Sequence, residues 1–332
     1  MDLVTQGILG ASVGLASGYR VLGRKAAFWG AIVALIPDAD VIWCGHFFDT
    51  MIHHRGFTHS LWFGPVFGTL LAYLMCALYE KNHEKFSTYA SVFILALVTH
   101  PVLDVFTPYG TQLLAPFSNM RFALNGVAII DPFYSLPLLL CVVLGLIKMK
   151  WNGLIQGIGL TLTTMYLFYG VGLKDQAIRD VRNYYVSKST YPVRIEAYPT
   201  LFQPFLKRIL VFEPHQVHVG WYSLYGKSMG FKHNDTFISF PTHALPFDLA
   251  VLSRVKTFVW FSDEAFLVEK NQKSYDVYDL RFGMPWGFEK GIWGIRIDDK
   301  KNVSSFKNTP KIKPSLKKIK EIYAMAFPHK ND

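Results

Sequence analysis

The stretch His53-His54-Arg55-Gly56-Phe57-Thr58-His59-Ser60 decides how this chain is read. Three histidines and an arginine fall within eight residues, directly ahead of residues 61–79, which carry no charged side chain. Imidazole is the commonest protein ligand for borderline metals and binds them as the neutral ring. Gly56 argues against a continuous helix, and a turn there would let His54 and His59 aim at one point. The plain alternative is a polar loop beside a membrane segment.

Two further polar clusters interrupt apolar sequence: Pro37-Asp38-Ala39-Asp40 and Thr99-His100-Pro101-Val102-Leu103-Asp104. An ionisable side chain at membrane depth costs roughly 3 kcal/mol or more, so each is a functional candidate. His100 and Asp104 are spaced i, i+4 and share a helix face, which suits two metal ligands, or one ligand with a supporting carboxylate. Pro101 should kink that helix. Asp38 and Asp40 follow a proline, and their spacing does not favour one helical face. One is expected as a ligand and the other as its support or as a general base. Arg55 could clamp an anionic substrate oxygen with its planar guanidinium, or snorkel to headgroups. Taken singly, the aspartates could mark a helix end reaching water, and His100 with Asp104 an interhelical hydrogen bond.

Around these clusters the chain has two textures. Of its 332 residues, 51% are hydrophobic and 16% aromatic, and the net charge is +10. Residues 1–174 hold 10 basic and 8 acidic side chains, whereas residues 175–332 hold 24 and 16. The apolar segments 3–19, 26–43, 61–79, 86–106, 128–147 and 151–173 approach the ~20 residues a spanning helix needs, the first two marginally. Gly7, Gly10, Gly14 and Gly18 place small residues on one face of the first, where another helix can approach closely. Basic residues concentrate at three joints, Arg20/Arg24/Lys25, Lys81/Lys85 and Lys148/Lys150, which the positive-inside rule assigns to the cytoplasm. All the polar clusters, with Thr5-Gln6 and Asp131, then fall toward the outer face, and so does the C-terminal half. The turn-rich loop 108–127, with Arg121, is long enough to be functional. Asp131 and His53 are expected to have supporting roles. No basic region precedes the first apolar segment, as a cleavable signal would require, so a retained membrane segment is expected.

Beyond residue 174, short Val/Ile/Tyr/Phe runs alternate with Pro, Gly and Asn, the pattern of a mostly β domain, after one helix over 175–185. A closing helix over 315–327 has an apolar face for docking and a basic face for solvent. The basic balance suits anionic lipid headgroups better than nucleic acid when a membrane half is attached. His215, His218, His233 and His243 read as ordinary residues of that domain, and Arg281-Phe282-Gly283 ends a strand that could face a cleft. Cys44, Cys76 and Cys141 have no paired spacing, so no disulfide framework or zinc knuckle is expected. P-loop, GxSxG and strand-preceded GxGxxG motifs are absent.

The N-terminal Met-Asp-x-x-Thr-Gln-x-x-Leu-Gly, Pro37 to Asp40, His54 to Ser60 and Thr99 to Asp104 resemble the YdjM-like family over residues 1 to about 150. Residues 107–112 and Ile130-Asp131-Pro132 resemble its longer members, which carry a soluble C-terminal domain. These are bacterial inner-membrane proteins described, by inference, as metal-dependent hydrolases. Many members have Thr-His where this chain has Thr5-Gln6, which centres the expected site on His54, His59 and His100.

The reading is a polytopic α-helical membrane bundle of about five to six hydrophobic helices over residues 1–174, followed by a C-terminal β-rich α+β soluble domain over 175–332. His54, His59, His100 and Asp104 are the expected ligands of a divalent ion, with zinc favoured and manganese or iron possible. Asp38, Asp40 and Arg55 are the expected catalytic groups, acting on an ester or phosphoester of a lipid or other membrane-associated small molecule. The rival classes are a transporter and a non-catalytic interaction protein with a structural metal.

Overall fold

The computed structural model describes residues 1–80, 83–225, 237–284, 288–308 and 316–327. His233 and Lys81 lie outside them. The chain divides into two compact units, Met1–Val171 and Gly172–Asp332.

The first unit is helical: α1 (Leu3–Leu22), α2 (Lys25–Ala34), α3 (Phe47–His53), α4 (Phe63–Met75), α5 (Phe86–Val105), α6 (Pro132–Ile147) and the first part of α7 (Asn152–Ser187). The Asp2 carboxylate opens α1 by accepting from the Val4 and Thr5 amides. Glycines decide how α1 meets α2. A Cβ on Gly10 would fall 2.3 Å from the Gly30 carbonyl oxygen, and one on Gly14 would fall 2.2 Å from that of Ala26. Gly18 faces Val92 of α5, whereas Gly7 faces open space.

Helix α2 stops after ten residues for a local reason. Leu35 and Ile36 already bond three residues back, to Ile32 and Val33. Pro37 has no N–H to continue that series. The chain tightens into a 3-10 turn, Pro37–Ile42, which carries Asp38 and Asp40.

Among the described residues, three helices are long and apolar enough to cross a membrane: Phe63–Glu80, Phe86–Val105 and Met149–Ser187. The expectation of five to six spans is therefore corrected. Helix α2 is too short because Pro37 ends it, α6 has only 16 residues, and α1 is diluted by Gly, Thr5, Gln6 and Ser12. The apolar side chains Val66 and Leu78 (α4 and its π-helical extension), Leu136 and Leu140 (α6), and Leu162 and Phe168 (α7) face outward, as a hydrocarbon surround requires. Helices α1 and α5 each run from one end of the unit to the other. Arg20 and Lys85 lie at one end and Gln6 and Asp104 at the other, the latter two hydrogen-bonded.

The second unit begins within α7 and is β-rich. Strands β1 (Arg194–Pro199), β2 (Leu206–Phe212), β3 (Gln216–Ser223) and β4 (Phe237–Pro241) form one antiparallel meander. Strands β5 (Phe266–Lys270), β6 (Ser274–Asp279), β7 (Trp293–Asp298) and β8 (Val303–Lys307) form another. Helices α8 (Phe247–Ala250) and α9 (Ser253–Phe261) link them, and α10 (Leu316–Ala326) closes the chain. Leu210 and Val219 share a core with Leu267, Leu280, Ile322 and Ala326, so α10 docks by its apolar face. Arg281 is buried against Asp279 rather than facing a cleft, and His218 is held by Ser239 and Glu213.

Candidate metal centre

Four side chains from three separate stretches meet in the helical unit: Asp38, His59, His100 and Asp104. Their ligand atoms lie within 4.8 Å of one another. The two histidine Nε2 atoms are 3.1 Å apart. Asp38 Oδ1 is 3.3 Å from His59 Nε2 and 3.5 Å from His100 Nε2. Asp104 Oδ2 is 3.5 Å from each of the two nitrogens. Tetrahedral ligands about 2.0–2.1 Å from an ion sit roughly 3.3–3.4 Å from one another. Five of the six edges are thus close to those of a tetrahedron around a small divalent ion.

The tautomer of His100 follows from its other nitrogen. Nδ1 lies 2.6 Å from the Ala34 carbonyl oxygen, which can only accept, so Nδ1 carries a proton, and in the neutral ring Nε2 presents the lone pair. That carbonyl is free for His100 because Pro37 offers it no N–H. Asp104 Oδ2 is buried and pairs with Arg55 Nε at 3.2 Å. A buried carboxylate oxygen facing two imidazole nitrogens, with Asp38 beside them, is a donor set that could hold a divalent ion, and the residues fit one.

A second ring of contacts holds these ligands. Asp40 accepts from Thr58 Oγ1 at 2.8 Å and from the Arg55 amide at 3.2 Å, and it lies 2.7 Å from His54 Nδ1 and 3.4 Å from His59 Nδ1. A carboxylate behind a ligating imidazole orients the ring and raises its basicity. Asp104 Oδ1 contacts the Met1 ammonium and accepts from Gln6 Nε2. Arg55 donates to Thr107 Oγ1 at 2.8 Å and stacks over Tyr109 at 4.8 Å. Burial pushes the His59 ring down, but hydrogen bonding to Asp104, Asp38 and Asp40 outweighs it and holds the ring at about 9. Burial pushes Asp40 up, and His54 and His59 overcome it, keeping the carboxyl well below its usual range.

The turn at Gly56 shapes this arrangement. Helix α3 ends at His53, Arg55 takes φ 61°, and a single 3-10 turn, Phe57–His59, returns the chain inward. His54 and His59 both reach Asp40, from its two oxygens. The loop after α5 clamps the turn from outside. The Gln112 amide donates to Arg55 O, Gln112 Nε2 to Ile52 O, and Arg121 Nη1 to Met51 O.

The structure brings His59, His100 and Asp104 together with Asp38. His54 is not one of the four and is held by Asp40 instead. Arg55 is buried against Asp104 and Thr107, away from any open surface. His53 is exposed, and Asp131 caps α6 and accepts from Tyr166 Oη at 2.8 Å. Thr58, Thr107, Gln6 and the Ala34 carbonyl had no assigned role in the sequence reading. Thr58 lay inside the quoted histidine stretch, whereas nothing in the sequence singled out a backbone carbonyl.

The family model described as YdjM inner membrane protein matches residues 1–178. Inner membrane protein YbcI of Escherichia coli (strain K12) is 31% identical over 124 residues, covering 36% of this chain and 70% of YbcI. YfhP of Bacillus subtilis (strain 168) is 31% identical over 144 residues, covering 40% of this chain and 42% of YfhP. No solved structure matches the chain significantly. The chain belongs to the YdjM inner membrane protein family.

Proposed function

We propose that this member of the YdjM inner membrane protein family is a metal-dependent hydrolase that cleaves an ester or phosphoester of a membrane-associated substrate. One observation carries the reading: His100, donating through Nδ1 to the Ala34 carbonyl, turns Nε2 toward His59 Nε2 and two carboxylates. Groups this close are held together by a positive charge among them, a divalent ion or, without one, the protonated His59 ring. The near-tetrahedral edges favour zinc, and the N/O donors also suit manganese or iron.

A divalent ion bound there would supply Lewis acidity and make a water acidic enough to attack near neutral pH. The protein's own groups do the rest. Asp104 is braced by Arg55 and Gln6, and His100 by Ala34. Asp38 is the one ligand that is not fully buried, so it marks the side from which a substrate would approach. Asp40 is committed on both oxygens to His54, Arg55 and Thr58, which makes it a positioning carboxylate. His54, oriented by Asp40 through Nδ1, keeps its other nitrogen for moving a proton and is the preferred base.

The substrate class is inferred from what flanks the site in the chain. Ile42 and Trp43 follow Asp40, Phe57 and Trp62 bracket His59, and Phe117 packs near Trp62; all are exposed. Exposed aromatic side chains of this kind belong at the membrane–water boundary. The positive-inside rule puts the joint between the spans Phe63–Glu80 and Phe86–Val105 in the cytoplasm, which would set the metal centre, at the far ends of those two spans, on the outer side.

A second reading keeps the metal and drops the catalysis. Four protein ligands close a tetrahedron, as in structural sites. Metal content of the purified protein, followed by a screen of ester and phosphodiester substrates, tests both. Bound metal with hydrolysis that a chelator abolishes supports the enzyme, whereas bound metal with no hydrolysis supports the structural site.

A further inference from the structure

At the end of the helical unit opposite the metal centre, a cavity of about 660 Å³ opens between the last turns of α1 and the α6–α7 turn. Ligand pockets span about 300–1,000 Å³, so it is large enough for a headgroup with its glycerol. Its polar wall is made by Arg20 and Lys150, and no acidic residue lines it. Neither cation makes an ion pair among the described residues. Tyr19 and Trp151 line the same space, and Leu154 is exposed at its edge. The two walls are tied together: Asn152 Nδ2 donates to the Leu15 carbonyl at 3.0 Å, and Ser12 Oγ donates to Gln156 Oε1 at 2.8 Å. The position is where the apolar span Met149–Ser187 begins, which is the headgroup level of a bilayer.

Two unpaired cations, an interfacial tryptophan and tyrosine, and an adjoining apolar edge match one kind of molecule: a phosphate diester that carries acyl chains. We propose that this cavity binds the phosphate-bearing headgroup of an anionic membrane phospholipid. Arg20 and Lys150 meet the phosphate, Tyr19 and Trp151 hold the glycerol region, and Leu154 meets the start of an acyl chain. Basic pockets between membrane helices take anionic headgroups by this chemistry. The site is independent of the metal centre and would tie α1 to α7 from the lipid side.

The test uses the full chain in detergent, titrated with phosphatidylglycerol or phosphatidylcholine and read by native mass spectrometry. The parent protein should retain phosphatidylglycerol roughly tenfold better than phosphatidylcholine. The double variant Arg20→Gln/Lys150→Gln should lose that preference. The control Arg24→Gln/Lys148→Gln removes the same charge from the same end without touching the cavity, and should keep it. Absence of a preference in the parent, or equal loss in both double variants, would overturn the site in favour of diffuse charge attraction. A third arm adds sn-glycerol 3-phosphate: displacement of the lipid at equal concentration would mean that a soluble phosphate ester is the occupant, and would also overturn the proposal.

Discussion

His59 Nε2 and His100 Nε2 lie 3.1 Å apart although they come from a 3-10 turn and a long helix separated by 41 residues. Two imidazole nitrogens at that distance share either a proton or a cation. In the neutral His100 ring the proton is on Nδ1, facing Ala34, so its Nε2 has none to share.

The metal ligands should separate cleanly from their supports. His59→Ala, His100→Ala and Asp38→Ala are expected to abolish stoichiometric metal in the detergent-purified protein, measured by elemental mass spectrometry. His54→Ala should retain it. Arg55→Met, which releases the Asp104 carboxylate, should weaken binding by roughly 10–100-fold, the usual cost of losing a partner behind a ligand. Loss of metal in His54→Ala as complete as in His100→Ala would rule out the four-ligand centre.

Proton transfer should separate from metal binding. His54→Gln and Asp40→Asn are expected to lower hydrolysis of whichever ester the protein cleaves by roughly 10²-fold while most of the metal stays bound. Falls in metal and rate by the same factor would assign these residues to the metal instead.

Metal affinity should rise with pH. Without metal, the His59 ring stays protonated up to about pH 9, because the surrounding carboxylates outweigh its burial. The ion needs the neutral ring, so binding expels a proton below that pH and becomes tighter as pH approaches 9. The linked effect on stability has the opposite sign. In metal-free protein the charged ring stabilises the fold fully below about pH 6.5, and that contribution is lost as pH rises through about 9. Calorimetric titration in buffers of different ionisation enthalpy should detect the released proton, and a pH-independent affinity between 6 and 9 would contradict the assignment.

Glycines on one face of α1 should respond oppositely to the same substitution. Gly14→Ala puts a Cβ 2.2 Å from the Ala26 carbonyl oxygen, backbone that cannot swing aside, and should cost about 1–3 kcal/mol. Gly7→Ala meets nothing within 4 Å and should stabilise the helix by up to about 1 kcal/mol. Thermal unfolding in detergent compares the two, and equal shifts would place α2 elsewhere.

Orientation is read with reporters. A fusion inserted after His83, between two spans, should behave as inside the cytoplasm, and one inserted after Ser118, in the loop that follows α5, as outside. The reverse pattern would invert the bundle and put the metal centre on the cytoplasmic side.

By itself, the sequence determined what depends on composition and local spacing. A run without charge reports a membrane helix, and i, i+4 spacing puts His100 and Asp104 on one face. Gly56 announces a break whatever surrounds it, and alternating apolar runs after residue 191 announce strands. The number of spans was not legible, because Pro37 shortens α2 through a missing N–H whose effect depends on where neighbouring turns already bond. The choice among Asp38, Asp40 and His54 for the fourth ligand was not legible either. All three lie within reach of His59, and only the tertiary structure decided that Asp38 faces the two Nε2 atoms while Asp40 and His54 face each other. The physical reason is that spacing constrains residues on one helix, whereas the directions of side chains on two separate turns are set by the packing between them. Here that packing comes from the loop that clamps residues 51–61 and from the Ala34 carbonyl that turns His100.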